Sequence, residues 1–380
     1  MKGLSIGLVM ILLITLLPIP AGAVDMQLPA KSALLMDIAT GTVLYEQNAH
    51  ERLAPASVTK VMTMLLIMES IDAGKIGWND TVIASETAAA KGGSQIYLKV
   101  GESMSVTDML KSIAVSSAND CACAMAEHIA GSETAFVDLM NQRAAELGMN
   151  DTHFVNCTGL DDDPAAKEHL TSAYDIALMS RQLMKNHPEI QKFTTIWMDT
   201  VRNGSFGLSN TNKLVRFYPG ATGLKTGFTS AAGYCLSATA QRDGLGLVAV
   251  VMGCATSQDR FGACKQLLDY GFANFSLCAP DIAPQNIPVK LGTFQYAQAV
   301  PVQKPELLVD KSQRDQVHTE MTLEESVSAP VSKGQRLGTL HIKVGEQTIA
   351  QIPMIAAEAV PKLTWGDLFL MVLRRLTMAK

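Results

Sequence analysis

Gly223-Leu224-Lys225-Thr226-Gly227-Phe228-Thr229 decides how the rest of this 380-residue chain is read. A lysine and a threonine on a strand edge can hold a carboxylate by charge and hydroxyl. The glycine after them leaves room for a substrate backbone to come close. Gly220, Gly223 and Gly233 around the stretch equally mark tight turns. Its meaning depends on two patterns upstream, Ser57-Val58-Thr59-Lys60 and Ser117-Ala118-Asn119. The three patterns S-x-x-K, S-x-N and K-T-G each occur once, in that order. Together they supply a nucleophile, a base, a proton relay and a carboxylate anchor.

The chemistry behind each pattern is simple. Pro55 suits the first turn of a helix, which places Ser57 near its N-terminus. Residues three apart share a helical face, so the Lys60 amine can reach the Ser57 hydroxyl. Serine attacks well only with a base in hydrogen-bond reach. Lysine is such a base only when burial or a nearby cation lowers its pKa, and Lys225 is the candidate cation. The helix start also aims backbone N–H groups at developing negative charge. Ser117 and Asn119, in a short loop before the apolar run from Cys121 to Ile129, can serve as proton relay and substrate amide anchor. Taken singly, each pattern is weak: Lys60 would be a solvated helix lysine, and Ser117 and Asn119 helix caps.

The ends of the chain say where it works. Lys2, the apolar run from Leu4 to Leu17, Pro18, Pro20 and Ala21-Gly22-Ala23 read as a signal peptide over residues 1–23. The mature chain is then exported and starts near Val24. A net charge of -5 shows no basic excess, which argues against nucleic acid as a partner. Seven dispersed cysteines, without a C-x-x-C pair, read mostly as small buried apolar residues. Sparse histidines at no ligand spacing give no support to a metal site, and nothing calls for a cofactor.

Residues 24–278 mix strand and helix signals, an α/β (α+β) pattern. Ser32–Asp37 and Thr42–Glu46 form a hairpin across Ala39-Thr40-Gly41. Helical patterns cover 55–72, 106–130 and 132–147. Strands at 233–242 and 246–253 meet at Asp243-Gly244, followed by a helix over 257–275. Residues 279–361 alternate short β-prone runs with turns and read as a small β-sandwich-like domain. In 362–380, Trp365, Leu368, Phe369, Val372, Leu373 and Leu376 recur at helical spacing, with Arg374, Arg375 and Lys380 adding charge. Such a helix is too short to span a bilayer and suits the interface, as an amphipathic membrane anchor on the outer face of the cytoplasmic membrane.

With these residues in place, the chain closely resembles the serine-type D-alanyl-D-alanine carboxypeptidases, the low-molecular-mass penicillin-binding proteins. Leu53-Ala-Pro-Ala-Ser-Val-Thr-Lys60, Ser116-Ser-Ala-Asn-Asp120, Gly159-Leu-Asp-Asp162, Thr171-Ser-Ala-Tyr-Asp175 and Asn210-Thr-Asn-Lys-Leu214 carry the resemblance beyond the three motifs. It implies a central antiparallel sheet with a helical subdomain, then a β-rich domain and an anchor. It further implies that Ser57 attacks between the last two D-alanines of a peptidoglycan stem peptide, and that Lys60 takes its proton. Ser117 would relay a proton to the departing D-alanine, Asn119 would position the acyl side, Lys225 and Thr226 would hold the terminal carboxylate, and Gly227 would leave room for the substrate backbone. The oxyanion hole would be the Ser57 and Phe228 N–H groups, and β-lactams would trap Ser57. The chain departs from the family at Phe228, where some members carry His, and at Asn156-Cys157-Thr158. A class A β-lactamase shares the motifs, but no Glu-x-x-Leu-Asn follows Ser117-Ala-Asn. A transpeptidase differs only in its acceptor. A non-catalytic wall-binding protein predicts damaged motifs, and these are intact.

Overall fold

The computed structural model describes residues 26–370. The signal peptide expected at 1–23 and the part of the expected anchor beyond Leu370 lie outside the described residues. The chain divides into two compact units, one running to Phe275 and the other from Ser276.

The first unit is built on a five-stranded antiparallel sheet. Its strands are β1 (Ser32–Asp37), β2 (Val43–Gln47), β3 (Ala221–Thr229), β4 (Gly233–Arg242) and β5 (Leu245–Cys254), in the spatial order β2-β1-β5-β4-β3. Alternation explains why both faces are apolar. Leu34, Met36, Val248 and Val250 join the main core on one face. On the other, Leu35 and Leu247 meet Gly271, where an added Cβ would lie 3.0 and 2.5 Å from their side chains. The β4–β5 hairpin turns at Asp243 and Gly244, both with positive φ, as a two-residue primed turn requires.

The helices are α1 (Lys60–Asp72), α2 (Val106–Ser116), α3 (Asn119–Ala130), α4 (Glu133–Glu146), α5 (Ala173–Asn186) and α6 (Ser257–Asn274). Helix α1 is buried almost all round, which puts it at the centre of the helical part. Ser105, Ser132 and Ser172 cap α2, α4 and α5 through their side chains. The helical pattern read over 106–130 is two helices, broken at Ser117, whose φ of 64° is left-handed. That break matters for the site. Before α1, the chain makes a 3-10 turn over Ala56–Thr59.

In the second unit β6 (Gln285–Lys290), β7 (Tyr296–Pro301), β8 (Val317–Leu323), β9 (Val327–Ser328), β10 (Arg336–Val344) and β11 (Gln347–Ala356) form a sheet ordered β8-β10-β11-β7-β6-β9. Ile287, Ala299, Leu337, Leu340, Ile342, Ile352 and Met354 are its core. β8 escapes a search for apolar runs because His318, Glu320 and Thr322 interleave its apolar residues. A helix starts at Trp365, with Thr364 and Asp367 bonded reciprocally at its start. Among the described residues no helix is long and apolar enough to cross a membrane.

Candidate active site

Ser57 lies in the tight turn, and its side chain stays partly accessible. The preceding Ala56 has a φ of 47°, a strained conformation for a residue with a Cβ. Neighbouring segments hold the turn in place. The Nε2 of His169 bonds the Thr59 hydroxyl at 2.8 Å, and that hydroxyl donates to the Ala56 carbonyl at 2.8 Å. The Val155 N–H donates to His169 Nδ1, so the ring is neutral with its proton on Nε2. Gly159 packs so closely that a Cβ there would sit 1.8 Å from the Ala56 carbonyl oxygen.

Lys60 is fully buried, and its amine donates to Ser57 Oγ at 2.9 Å and to the Thr158 carbonyl at 2.7 Å. Burial pushes this amine down from 10.5 to about 7, against an upward pull from Cys157 and Asp120. Lys225 is buried too and lies well below its ordinary value, through burial first and then the charges of Lys60 and Arg260. The expectation that Lys225 keeps Lys60 neutral is therefore refined. Burial is the main cause at Lys60, and the repulsion between the two amines weighs on Lys225.

Ser117 ends α2 and Asn119 starts α3, on either side of the left-handed break. Ser117 Oγ is buried with no hydrogen-bond partner, while the amine of Lys60 is taken up by Ser57 and Thr158. Asn119 Nδ2 donates to the Gly92 carbonyl at 2.7 Å, and its Oδ1 is buried and unpartnered. Asp120, passed over in the sequence, fixes this corner. Its buried carboxylate accepts from the N–H groups of Ile96, Leu98 and Cys121 and so ties the 91–98 loop across Asn119. Its place at the end of Ser116-Ser-Ala-Asn-Asp120 was the available signal, and only the structure shows that it is buried.

Lys225, Thr226, Gly227 and Phe228 lie on β3, the edge strand beside the Ser57 turn. An edge strand keeps one row of backbone groups free of the sheet. Gly227 owes its identity to that turn: a Cβ would sit 2.6 Å from the Pro55 carbonyl oxygen and 3.1 Å from the Val58 nitrogen. The Thr226 hydroxyl bonds that of Thr211 at 2.7 Å. Phe228 is half exposed and packs on Tyr234, with ring centroids 4.3 Å apart. Behind the strand, Arg260 of α6 donates to the Gly227 carbonyl at 2.9 Å and stacks on Tyr234 and Phe261. Arg260 carries no local motif that would have singled it out, and Thr211, inside the Asn210-Thr-Asn-Lys-Leu214 stretch, was given no role of its own. Only the fold brings them here.

The arrangement is that of a serine acyl-transfer site, and comparison with known proteins agrees. The family model described as D-alanyl-D-alanine carboxypeptidase matches residues 20–256, and one described as penicillin-binding protein 5, C-terminal domain, matches 272–362. D-alanyl-D-alanine carboxypeptidase DacF of Bacillus subtilis is 43% identical over 340 residues, covering 88% of this chain and 86% of that protein. Penicillin-binding protein 5 of Haemophilus influenzae superposes with a TM-score of 0.75 at 30% identity, covering 90% of this chain and 100% of that one. Penicillin-binding protein D2 of Listeria monocytogenes in its ampicillin-bound form gives a TM-score of 0.60 at 32% identity, covering 66% of this chain and 100% of that one. The chain thus belongs to the D-alanyl-D-alanine carboxypeptidases, serine hydrolases built as a catalytic α/β unit followed by a β domain.

Proposed function

We propose that Ser57 is the nucleophile of a serine-type D-alanyl-D-alanine carboxypeptidase that trims the terminal D-alanine from peptidoglycan stem pentapeptides. One observation carries this reading: a fully buried Lys60 amine, lowered to about 7, lies 2.9 Å from Ser57 Oγ. Near neutral pH such an amine spends much of its time unprotonated and can accept the serine proton.

The remaining roles follow from position. The terminal carboxylate binds Lys225 and the Thr226 hydroxyl, and its charge favours the protonated amine against the burial that disfavours it. Gly227 and the free edge of β3 receive the substrate backbone, and the Phe228 and Ser57 N–H groups hold the oxyanion. Asn119 Oδ1, without a protein partner, accepts the substrate amide N–H. Ser57 Oγ bonds to the carbonyl carbon as its proton passes to Lys60. The C–N bond to the last D-alanine then breaks, and the leaving nitrogen takes a proton relayed through Ser117. Water hydrolyses the acyl-enzyme and frees Ser57. A β-lactam opens on the same serine and stays, in keeping with the ampicillin-bound relative.

The same reading assigns residues 1–23 to a signal peptide, 24–278 to the catalytic domain, 279–361 to the β domain and 362–380 to a membrane anchor on the outer face of the cytoplasmic membrane. The decisive experiment is Ser57→Ala. It is expected to abolish both penicillin labelling and D-alanine release from a pentapeptide, and persistence of either overturns the assignment.

A further inference from the structure

We infer that the tip of the β6–β7 hairpin, residues 291–296, is a second membrane contact, entering the lipid interface beside the terminal helix. This rests on reading residues 362–380 as an anchor. Leu291, Phe294 and Tyr296 are each more than half exposed, at 54%, 64% and 54%. Water is a poor setting for three such side chains on six residues. Their display is also rigid. The Leu363 N–H donates to the Leu291 carbonyl at 2.8 Å, and the Thr293 N–H to the Pro361 carbonyl at 2.9 Å. Gly292 pairs with Lys362 and leaves no room for a Cβ, which would lie 2.7 and 2.8 Å from Val289 and Val360.

These bonds fasten the tip to the strand that leads directly into the helix starting at Trp365, where Trp365, Phe369 and Leu370 are exposed as well. Leu291 itself has a φ of 58°. A leucine in the left-handed region is strained, a cost the surrounding backbone bonds maintain at an exposed position. Lys290 and Lys362 are exposed at the base of the tip, and Arg374 and Arg375 follow in the sequence. Apolar residues flanked by cations match an anionic bilayer, where aromatic rings settle at headgroup depth. A lipid surface is therefore the occupant that fits both the chemistry and the continuity with the helix.

The test uses the full mature chain and vesicles of phosphatidylglycerol and phosphatidylethanolamine. Combined Leu291→Ser, Phe294→Ser and Tyr296→Ser should weaken vesicle sedimentation about tenfold or more. Penicillin acylation in solution should be unchanged, which reports the fold of the first unit, and amide hydrogen exchange of the β10–β11 pair should be unchanged, which reports that of the second. Phe294→Trp should add fluorescence quenched by brominated lipid beyond the parent's own. Unchanged sedimentation of the triple variant, or no added quenching, overturns the proposal. So does an emission already blue-shifted without vesicles, which would show the tip covered by protein. Trp365→Ser with Phe369→Ser tests the anchor separately: undiminished sedimentation there breaks the anchor reading, whatever the hairpin does.

Discussion

The two units treat buried polarity in opposite ways. Except for Ser276, every buried polar or charged side chain among the described residues belongs to the first unit, and Lys60, Lys225, Asp120 and Arg260 are among them. The second unit fills its core with Ile287, Leu340, Ile342, Ile352 and Met354. A buried polar atom without a partner costs about 1–3 kcal/mol. Ser117 Oγ, Asn119 Oδ1 and Arg260 Nε are such atoms, all in segments around the two lysines. Ser32 Oγ and Asp37 Oδ1 on β1 and Asn212 Nδ2 are unpartnered as well, all of them in the first unit, and at Ser117 and Asn119 a substrate can supply the missing partner. The contrast separates residues kept for chemistry from residues kept for folding.

The sharpest way to break that contrast is Lys60→Met. An apolar chain of similar length removes the base and the buried amine together. Acylation by penicillin should fall by about 10^3-fold or more, while stability to urea should change by less than about 2 kcal/mol. In the parent, acylation should rise with pH through about 7 as Lys60 loses its proton, and that limb should vanish in the variant. A variant that unfolds while the parent shows no such limb would make Lys60 a structural residue.

Gly227→Ala comes next. Its new methyl would collide with the Pro55 carbonyl oxygen at 2.6 Å and press on the Val58 nitrogen at 3.1 Å. Shifting the Ser57 turn by a fraction of an ångström should lower acylation about 10^2-fold. A small change in rate would mean that the strand and the nucleophile turn are not held in register by this contact.

His169 tests the polar core by pH. Burial, helped by the charges of His153 and Lys60, takes it from 6.5 down to about 4. Between those values the unfolded chain binds more protons than the folded one. Stability from this group is thus full above about 6.5 and is lost as pH falls toward 4. Urea unfolding of the first unit should lose about 2 kcal/mol between pH 7.5 and pH 5 through this residue. His169→Gln should flatten that part of the profile, and an unchanged slope would assign the loss to other groups.

How much of this was legible depended on the kind of signal. Ser57, Lys60, Ser117, Asn119, Lys225 and Thr226 stood out because their chemistry needs fixed residue types at short spacings. The β4–β5 hairpin stood out because Asp243-Gly244 is a local turn code. Arg260 did not, since it reaches β3 from another segment and bonds only backbone there, and for Thr211 the stretch was noticed but its bond to the Thr226 hydroxyl was not. Gly227 was legible as a residue needing space, but the space belongs to Pro55 and Val58, which only tertiary packing reveals. The short loop at Ser117 was legible ahead of the apolar run from Cys121 to Ile129, but its left-handed φ was not, since neither Ser117 nor Ala118 is a glycine.

The smallest effect on chemistry should come from the second unit. Leu340 is fully buried in a core with no buried polar partner to disturb. Leu340→Ala should lower the stability of that unit by about 2–5 kcal/mol, the usual cost of an emptied core site. Since none of the groups that bond Ser57, Lys60 or β3 comes from residues 276–370, penicillin acylation of the folded chain should stay within about twofold of the parent. Urea unfolding followed by two probes, penicillin labelling for the first unit and amide hydrogen exchange of the β10–β11 pair for the second, should then separate into two transitions in the variant. A single shared transition, or acylation that falls with the β unit, would show that the apolar core supports the polar one and that the two units are not divided by function in this way.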